Sequence, residues 1–255
     1  MNNREYSEKG DLRGEAALLR KKLGLDLTSP VDVFVLAGNV AENLTVVRYP
    51  FGATISGMCI KGDNNVVIAV NSTMSVGRQN FSMAHELFHM YCDVSSRQTV
   101  CPKVIGSGDP VERQADQFAS YFLIPPDALF EAIRRETKNT GLTVENIVRL
   151  EQQFMVSRQA ILYRLVQDRK ITRQEAEPME HHVIVSALEL GYDDSLYRPL
   201  PTTEQHKSTG YYFRQARNLI EHELISSEKY RELMSGAFRS DIVFGEGSEG
   251  CDSFD

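Results

Sequence analysis

The 255 residues hold only four cysteines (Cys59, Cys92, Cys101 and Cys251), and no two form a CxxC pair. That is too sparse for a disulfide framework and predicts a reduced, cytoplasmic protein. Long hydrophobic runs are also missing. The longest apolar stretches, at 31–37 and 66–70, fall far short of the about 20 residues a helix needs to cross a bilayer, so no membrane partner is expected. The N-terminal stretch MNNREYSEKGDLRGE mixes both charges without an apolar segment, which predicts no secretory signal. Positive charge is in deficit. With 28 Lys and Arg against 35 Asp and Glu, the net charge is −7. This argues against a surface coated for nucleic acid or lipid, though a local basic face is compatible with it. Internal repeats and low-complexity tracts are absent.

What remains is ordinary globular composition, 42% hydrophobic and 25% charged, and long enough to bury a sizeable core. Residues 13–24 read as a helix closed by Gly24. A second helix opens at Ser29-Pro30 and runs to about Val40. The period then changes. The β-branched runs 44–49 and 54–61, and then 66–71 after the turn residues 62–65, predict a small antiparallel meander. From about Arg78 the pattern is helical, with helices expected near 78–91, 110–122, 127–137, 143–153, 157–168, 209–224 and 226–238. Residues 92–109, with Pro102, Gly106 and Gly108, read as a loop, and 191–208 as an irregular stretch. The acidic residues 246–255 lack hydrophobic periodicity and are expected to be disordered. Strands followed by segregated helices define an α+β protein.

The first long helix after the strands carries QNFSMAHELFHMYC, which contains His85-Glu86-Leu87-Phe88-His89. Positions i and i+4 share one helix face, so both imidazoles can reach a single ion. Glu86 sits beside them and can act on the water such an ion activates without ligating it. This is the zinc-binding HExxH arrangement. The bland alternative is an amphipathic helix with surface histidines. Against it, Phe81, Met83, Ala84, Leu87, Phe88 and Met90 make the helix apolar on nearly all sides, which predicts burial. Buried polar groups need partners.

A catalytic zinc takes a third protein ligand. The next helix offers Glu112 near its start, with Asp109 and Asp116 as rivals. Asp116 could instead accept the free N–H of a ligating histidine. Cys92 and Cys101 are possible thiolate ligands, although Cys92 suits a small buried residue better. His181 and His182 lie far along the chain and read as surface.

HELFH, then ERQADQFASYFLIP, then FMVSRQAILYRL, resembles the ImmA/IrrE family of metallopeptidases over about residues 30–170. That family shows HExxH, an ExxANxFA segment and an FxVSxxAxxxRL element in this order. The resemblance implies a zincin-like core, zinc ligation by His85, His89 and Glu112, and Glu86 as the catalytic base. Asp116 stands where the family has Asn. The resemblance further implies that the substrate is a helix-turn-helix transcriptional repressor, cut in a stress response or a mobile element.

A rival reading is a DNA-binding or protein-binding transcriptional regulator. Residues 143–168 form a helix-turn-helix-like pair, with Ser157 as an N-cap. Between 146 and 173, Arg149, Arg158, Arg164, Arg169, Lys170 and Arg173 face only Glu151 and Asp168. The competing structural account is that Ile147, Leu150, Phe154, Ile161 and Leu165 buttress the core with arginines outside. A metal-binding module without hydrolysis is a third reading, but it would have no need of Glu86. The expected organisation is a zincin-like metallopeptidase domain at 1–170, containing the helix-turn-helix-like element, and a helical appendage at 171–245. The expected activity is zinc-dependent hydrolysis of a peptide bond in a protein. Tyr163, Arg158, His181 and His182 are candidates to stabilise the oxyanion.

Overall fold

A computed structural model describes residues 11–93, 96–137 and 141–244, and in it the second helix opens at Val33 rather than at Ser29-Pro30. The acidic stretch 246–255 lies outside the described residues. Helices α1 (Leu12–Lys22) and α2 (Val33–Val40) come first. Asp32 caps α2 by accepting from the N–H groups of Phe34 and Val35. Three strands follow, β1 (Leu44–Tyr49), β2 (Ile55–Lys61) and β3 (Val66–Asn71), then the long helix α3 (Val76–Tyr91). Strand β4 (Gln98–Pro102) leads into α4 (Pro110–Leu123), α5 (Pro126–Thr137), α6 (Val144–Phe154) and α7 (Arg158–Gln167). The remainder holds short helices α8 (Arg173–Ala176) and α9 (Val183–Glu189), strand β5 (Lys207–Gly210), and α10 (Tyr211–Glu221), α11 (Ser227–Gly236) and α12 (Ser240–Phe244).

The protein is α+β, as expected, but its sheet is no antiparallel meander. Among the described residues its five strands run in the order β4-β2-β3-β1-β5. β2 pairs antiparallel with β3, whereas β1 crosses to the far side of β3 and pairs with it in parallel, Leu44 opposite Val66. β3 is therefore a central strand, buried at five of its six positions. β4 comes from a segment read as a loop, β5 straddles the irregular stretch 191–208 and the start of the helix expected at 209–224, and the two form the sheet's edges.

The core sits between this sheet and the α3–α4 pair. Phe88 of α3 meets Phe118 of α4 with ring centroids 5.7 Å apart, and Phe118 stacks on Phe122. Two buried arginines satisfy carbonyls at the end of α4. Arg20 donates to Phe122 O at 2.7 Å, and Arg164 donates to Ser120 O at 2.9 Å. A helix end left with unmet carbonyls would be costly, and these clamps remove that cost.

The α6–α7 pair is part of the same core. Ile147, Leu150, Phe154, Ile161 and Leu165 are all fully buried. Arg158 and Arg164, two residues that DNA phosphates would need, are 3% and 1% exposed. Arg158 pairs with buried Glu151 and donates to Met179 O and Ser186 Oγ, while the Tyr197 hydroxyl donates to Glu151 at 2.8 Å. The pair thus faces inward onto protein. Among the described residues no helix is long and apolar enough to cross a membrane.

Candidate metal centre

Helix α3 is buried at every position from Gly77 to His89. Tight packing makes this possible at its start, where a Cβ on Gly77 would stand 2.7 Å from Ser157 N. The helix carries His85 and His89 to the face opposite α4, with their Nε2 atoms 3.2 Å apart. Asp109 proves to be the N-cap of α4, accepting from the N–H groups of Val111 and Glu112 at 2.8 and 3.0 Å. That cap starts α4 where Glu112 falls in its first turn. Glu112 Oε2 lies 3.3 Å from His85 Nε2, and its Oε1 lies 3.4 Å from His89 Nε2.

The outward-facing imidazole nitrogens are held from behind. His85 Nδ1 is 2.8 Å from Asp116 Oδ1, and the other Asp116 oxygen accepts from Gly106 N–H at 2.6 Å. His89 Nδ1 is 3.3 Å from Asp93 Oδ2. Such partners fix the tautomer and ring orientation of a ligating histidine. Asp116 was legible as this kind of partner. Asp93 was not singled out, although it sits at i+4 from His89, the same spacing that links the two histidines.

A fourth donor joins them. The ligating atoms of His85, His89, Cys101 and Glu112 all lie within 4.8 Å of one another, and all four residues are buried. Cys101 comes from edge strand β4. Cys92, the other thiol considered, packs in the hydrophobic core instead. His181 and His182 are exposed, as expected.

Glu86 is wholly buried, and neither carboxylate oxygen meets an N–H or O–H donor among the described residues, the Cys101 thiol being the one weak donor beside it. It lies over β2. A Cβ on Gly57 would fall 2.6 Å from Glu86 Oε1, so only glycine leaves room there. An uncompensated buried carboxylate is expensive unless a cation or a proton joins it. Burial accordingly raises the Glu86 carboxyl above its usual range, against the pull of His85 and His89.

The electrostatics favour a positive charge at this point. Burial alone would depress the His85 imidazole, but hydrogen bonds to Asp116 and Glu112 and the charge of Glu86 outweigh it, raising it to about 9. Burial opposes ionisation of Glu112, but the two histidines overcome this and hold it well below the carboxylate range. Two imidazoles, a carboxylate and a thiol form a donor set suited to zinc or a similar borderline ion. The converging nitrogens and the Glu112 carboxylate are what such an ion would satisfy, and its positive charge would offset that of Glu86 nearby.

Of the candidate oxyanion partners, Arg158 is committed to Glu151. Tyr163 is half-buried, with its ring 3.2 Å from where a Gly106 Cβ would stand. Burial, with the charge of Asp116 second, pushes its phenol up to about 12, so it keeps its proton at neutral pH.

Residues 41–166 match the family model of the IrrE N-terminal-like domain, Peptidase M78. No curated protein matches the chain.

Proposed function

Through residues 41–166 the chain belongs to the IrrE-like Peptidase M78 family of metallopeptidases, and from this premise we propose that it is a zinc-dependent endopeptidase acting on a protein. The observation that carries the reading is Glu86, buried without an N–H or O–H partner among the described residues beside the convergence of His85, His89 and Glu112. Those three residues hold the metal, and Glu86 is the catalytic base. When bound, zinc supplies Lewis-acid polarisation of the scissile carbonyl and makes a water nucleophilic near neutral pH.

The protein's residues do the rest. Glu86 takes the proton of the attacking water at a carboxylate oxygen and returns it to the leaving amine. A carboxyl group with a raised pKa suits that double duty. Asp116 and Asp93 hold the histidine rings. Tyr163, half-buried with its ring against Gly106, is the candidate to donate a hydroxyl to the developing oxyanion. An extended segment of substrate adds to the edge of β4 that is free among the described residues, where Val100 is 48% exposed. Val66–Asn71, the last strand before the metal helix, cannot serve here because β2 and β1 flank it.

The metallopeptidase unit is taken as 1–170 in a reducing, cytoplasmic setting, and 171–245, expected as a helical appendage, adds β5 to the same sheet beside β1. The resemblance of HELFH, ERQADQFASYFLIP and FMVSRQAILYRL to ImmA/IrrE proteins further favours a helix-turn-helix repressor as substrate. The test compares metal content and hydrolysis of fluorescein-labelled casein across variants. His89→Ala and Glu112→Ala should lose most of the metal. Glu86→Gln should keep the metal and lose hydrolysis. Hydrolysis surviving in Glu86→Gln would sink the mechanism, and full metal in Glu112→Ala would sink the ligand set.

A further inference from the structure

The site holds one donor more than the proposed reaction requires. A hydrolytic zinc centre takes three protein ligands and keeps a position open, whereas four protein donors make a closed, structural centre. Cys101 is the extra donor, within 4.8 Å of the other three. It is 1% exposed, and its Sγ lies 4.0 Å from Glu112 Oε1.

Most buried cysteines are small apolar filler. Cys101 is different from its neighbours in this respect. Cys59 and Cys92 pack within the hydrophobic core cluster, and Cys101 does not. Its Sγ turns to the Glu112 carboxylate and the two imidazoles instead. The backbone also aims it. The β2–β4 register shifts between Ile55 and Gly57, beside the Gly57–Cys101 pair. Ser56 Oγ reaches the carbonyls of Cys101 and Pro102 at 3.3 and 2.9 Å. Bulges of this kind re-aim side chains next to functional sites.

We propose that the Cys101 thiolate completes the metal's coordination in the resting protein and latches the peptidase shut. The inference rests on the peptidase reading above. Cys101 sits one residue from the end of β4, a strand that among the described residues pairs only with β2. The same free edge is the proposed dock for substrate, so peptide addition and release of the latch act on one short strand. Release is a ligand exchange. The sulfur–metal bond gives way to solvent, the thiolate takes up a proton, and nothing is oxidised.

The experiment uses the full chain loaded with cobalt(II) in place of zinc. The wild type should show a sulfur-to-cobalt charge-transfer band in the near ultraviolet. Cys101→Ser should lose that band while keeping the visible cobalt bands of the His85, His89 and Glu112 set. With zinc, Cys101→Ala should hydrolyse labelled casein about tenfold faster, if the latch holds about nine molecules in ten closed. A wild-type cobalt spectrum without the sulfur band overturns the proposal, as does casein hydrolysis that is unchanged or slower in both Cys101 variants. A sulfur band without hydrolysis by any variant overturns the peptidase reading and the latch with it, leaving Cys101 a structural ligand. Failure of the wild type to bind cobalt would instead remove the metal reading itself.

Discussion

Substituting Gly57 with alanine probes the catalytic base without touching any residue proposed to hold metal. The new methyl group would stand 2.6 Å from Glu86 Oε1, 3.2 Å from Glu86 Cδ and 3.0 Å from Ala69 O. Ala69 O belongs to the central strand, in the middle of a paired ladder, and cannot move far. Glu86 must therefore yield, and it is wholly buried with nowhere open to go. Overpacking of this kind typically costs about 1–3 kcal/mol. For a chain of this size each kcal/mol lowers the melting temperature by about 2–4 °C. The catalytic penalty should be larger, since a displacement of about 1 Å in a reacting group can cost about a hundredfold in rate.

Three measurements together test this. Metal content of Gly57→Ala should match the wild type. Its kcat on labelled casein should fall by about two orders of magnitude, with KM little changed. Truncating Glu86 removes the clash, so Gly57→Ala should cost less melting temperature in a Glu86→Ala background than in the wild type, a coupling that a double-mutant cycle reads directly. Equal losses in both backgrounds, or full hydrolysis by Gly57→Ala, would refute the placement of Glu86 over Gly57.

Metal affinity should rise with pH. A proton must leave His85 before it ligates, so between pH 7 and about 9 each unit should strengthen apparent zinc binding by about tenfold, as read by competition with a chromogenic chelator. The metal-free protein should show the opposite trend, because a histidine raised above its ordinary 6.5 adds stability that is complete below that pH and lost as pH climbs through about 9. Glu151→Ala leaves Arg158 buried and unpaired, and denaturant unfolding should show a loss of about 3–5 kcal/mol. Val100→Asp places a charge on the free sheet edge and should weaken casein hydrolysis with metal content unchanged; equal hydrolysis would remove β4 as the dock.

The helices were legible because their signals are local. Apolar residues at 3.6-residue spacing and the Ser157 N-cap mark α6 and α7 within the sequence itself, and the structure adds a capping box at Thr143. Strand partners are not local. The turn residues 62–65 correctly announce the β2–β3 hairpin, but nothing in 44–49 says that it will cross β3 and pair in parallel. That choice is made by burial of β3 on both sides. Edge strands β4 and β5 were invisible for a related reason. Each is five residues or fewer, polar or interrupted by proline, and gains its conformation from a neighbouring strand rather than from its own pattern.

The departure of Asp116 from the family's asparagine acquires a meaning in the structure that the sequence alone could not supply. Its two oxygens do different work, Oδ1 meeting His85 Nδ1 at 2.8 Å and Oδ2 accepting from Gly106 N–H at 2.6 Å. An asparagine has one acceptor oxygen and one donor amide, so it would satisfy one of these contacts and set two N–H groups against each other at the second. Asp116→Asn should therefore do more than remove a charge. Either the His85 ring loses its orienting acceptor or the loop at Gly106 lifts away. Losing the acceptor lowers metal affinity by about 10–100-fold. Chelator competition measures the first outcome, and amide hydrogen exchange at Gly106 measures the second. If Asp116→Asn binds zinc as tightly as the wild type and leaves Gly106 equally protected, the carboxylate is not the link between loop and ligand.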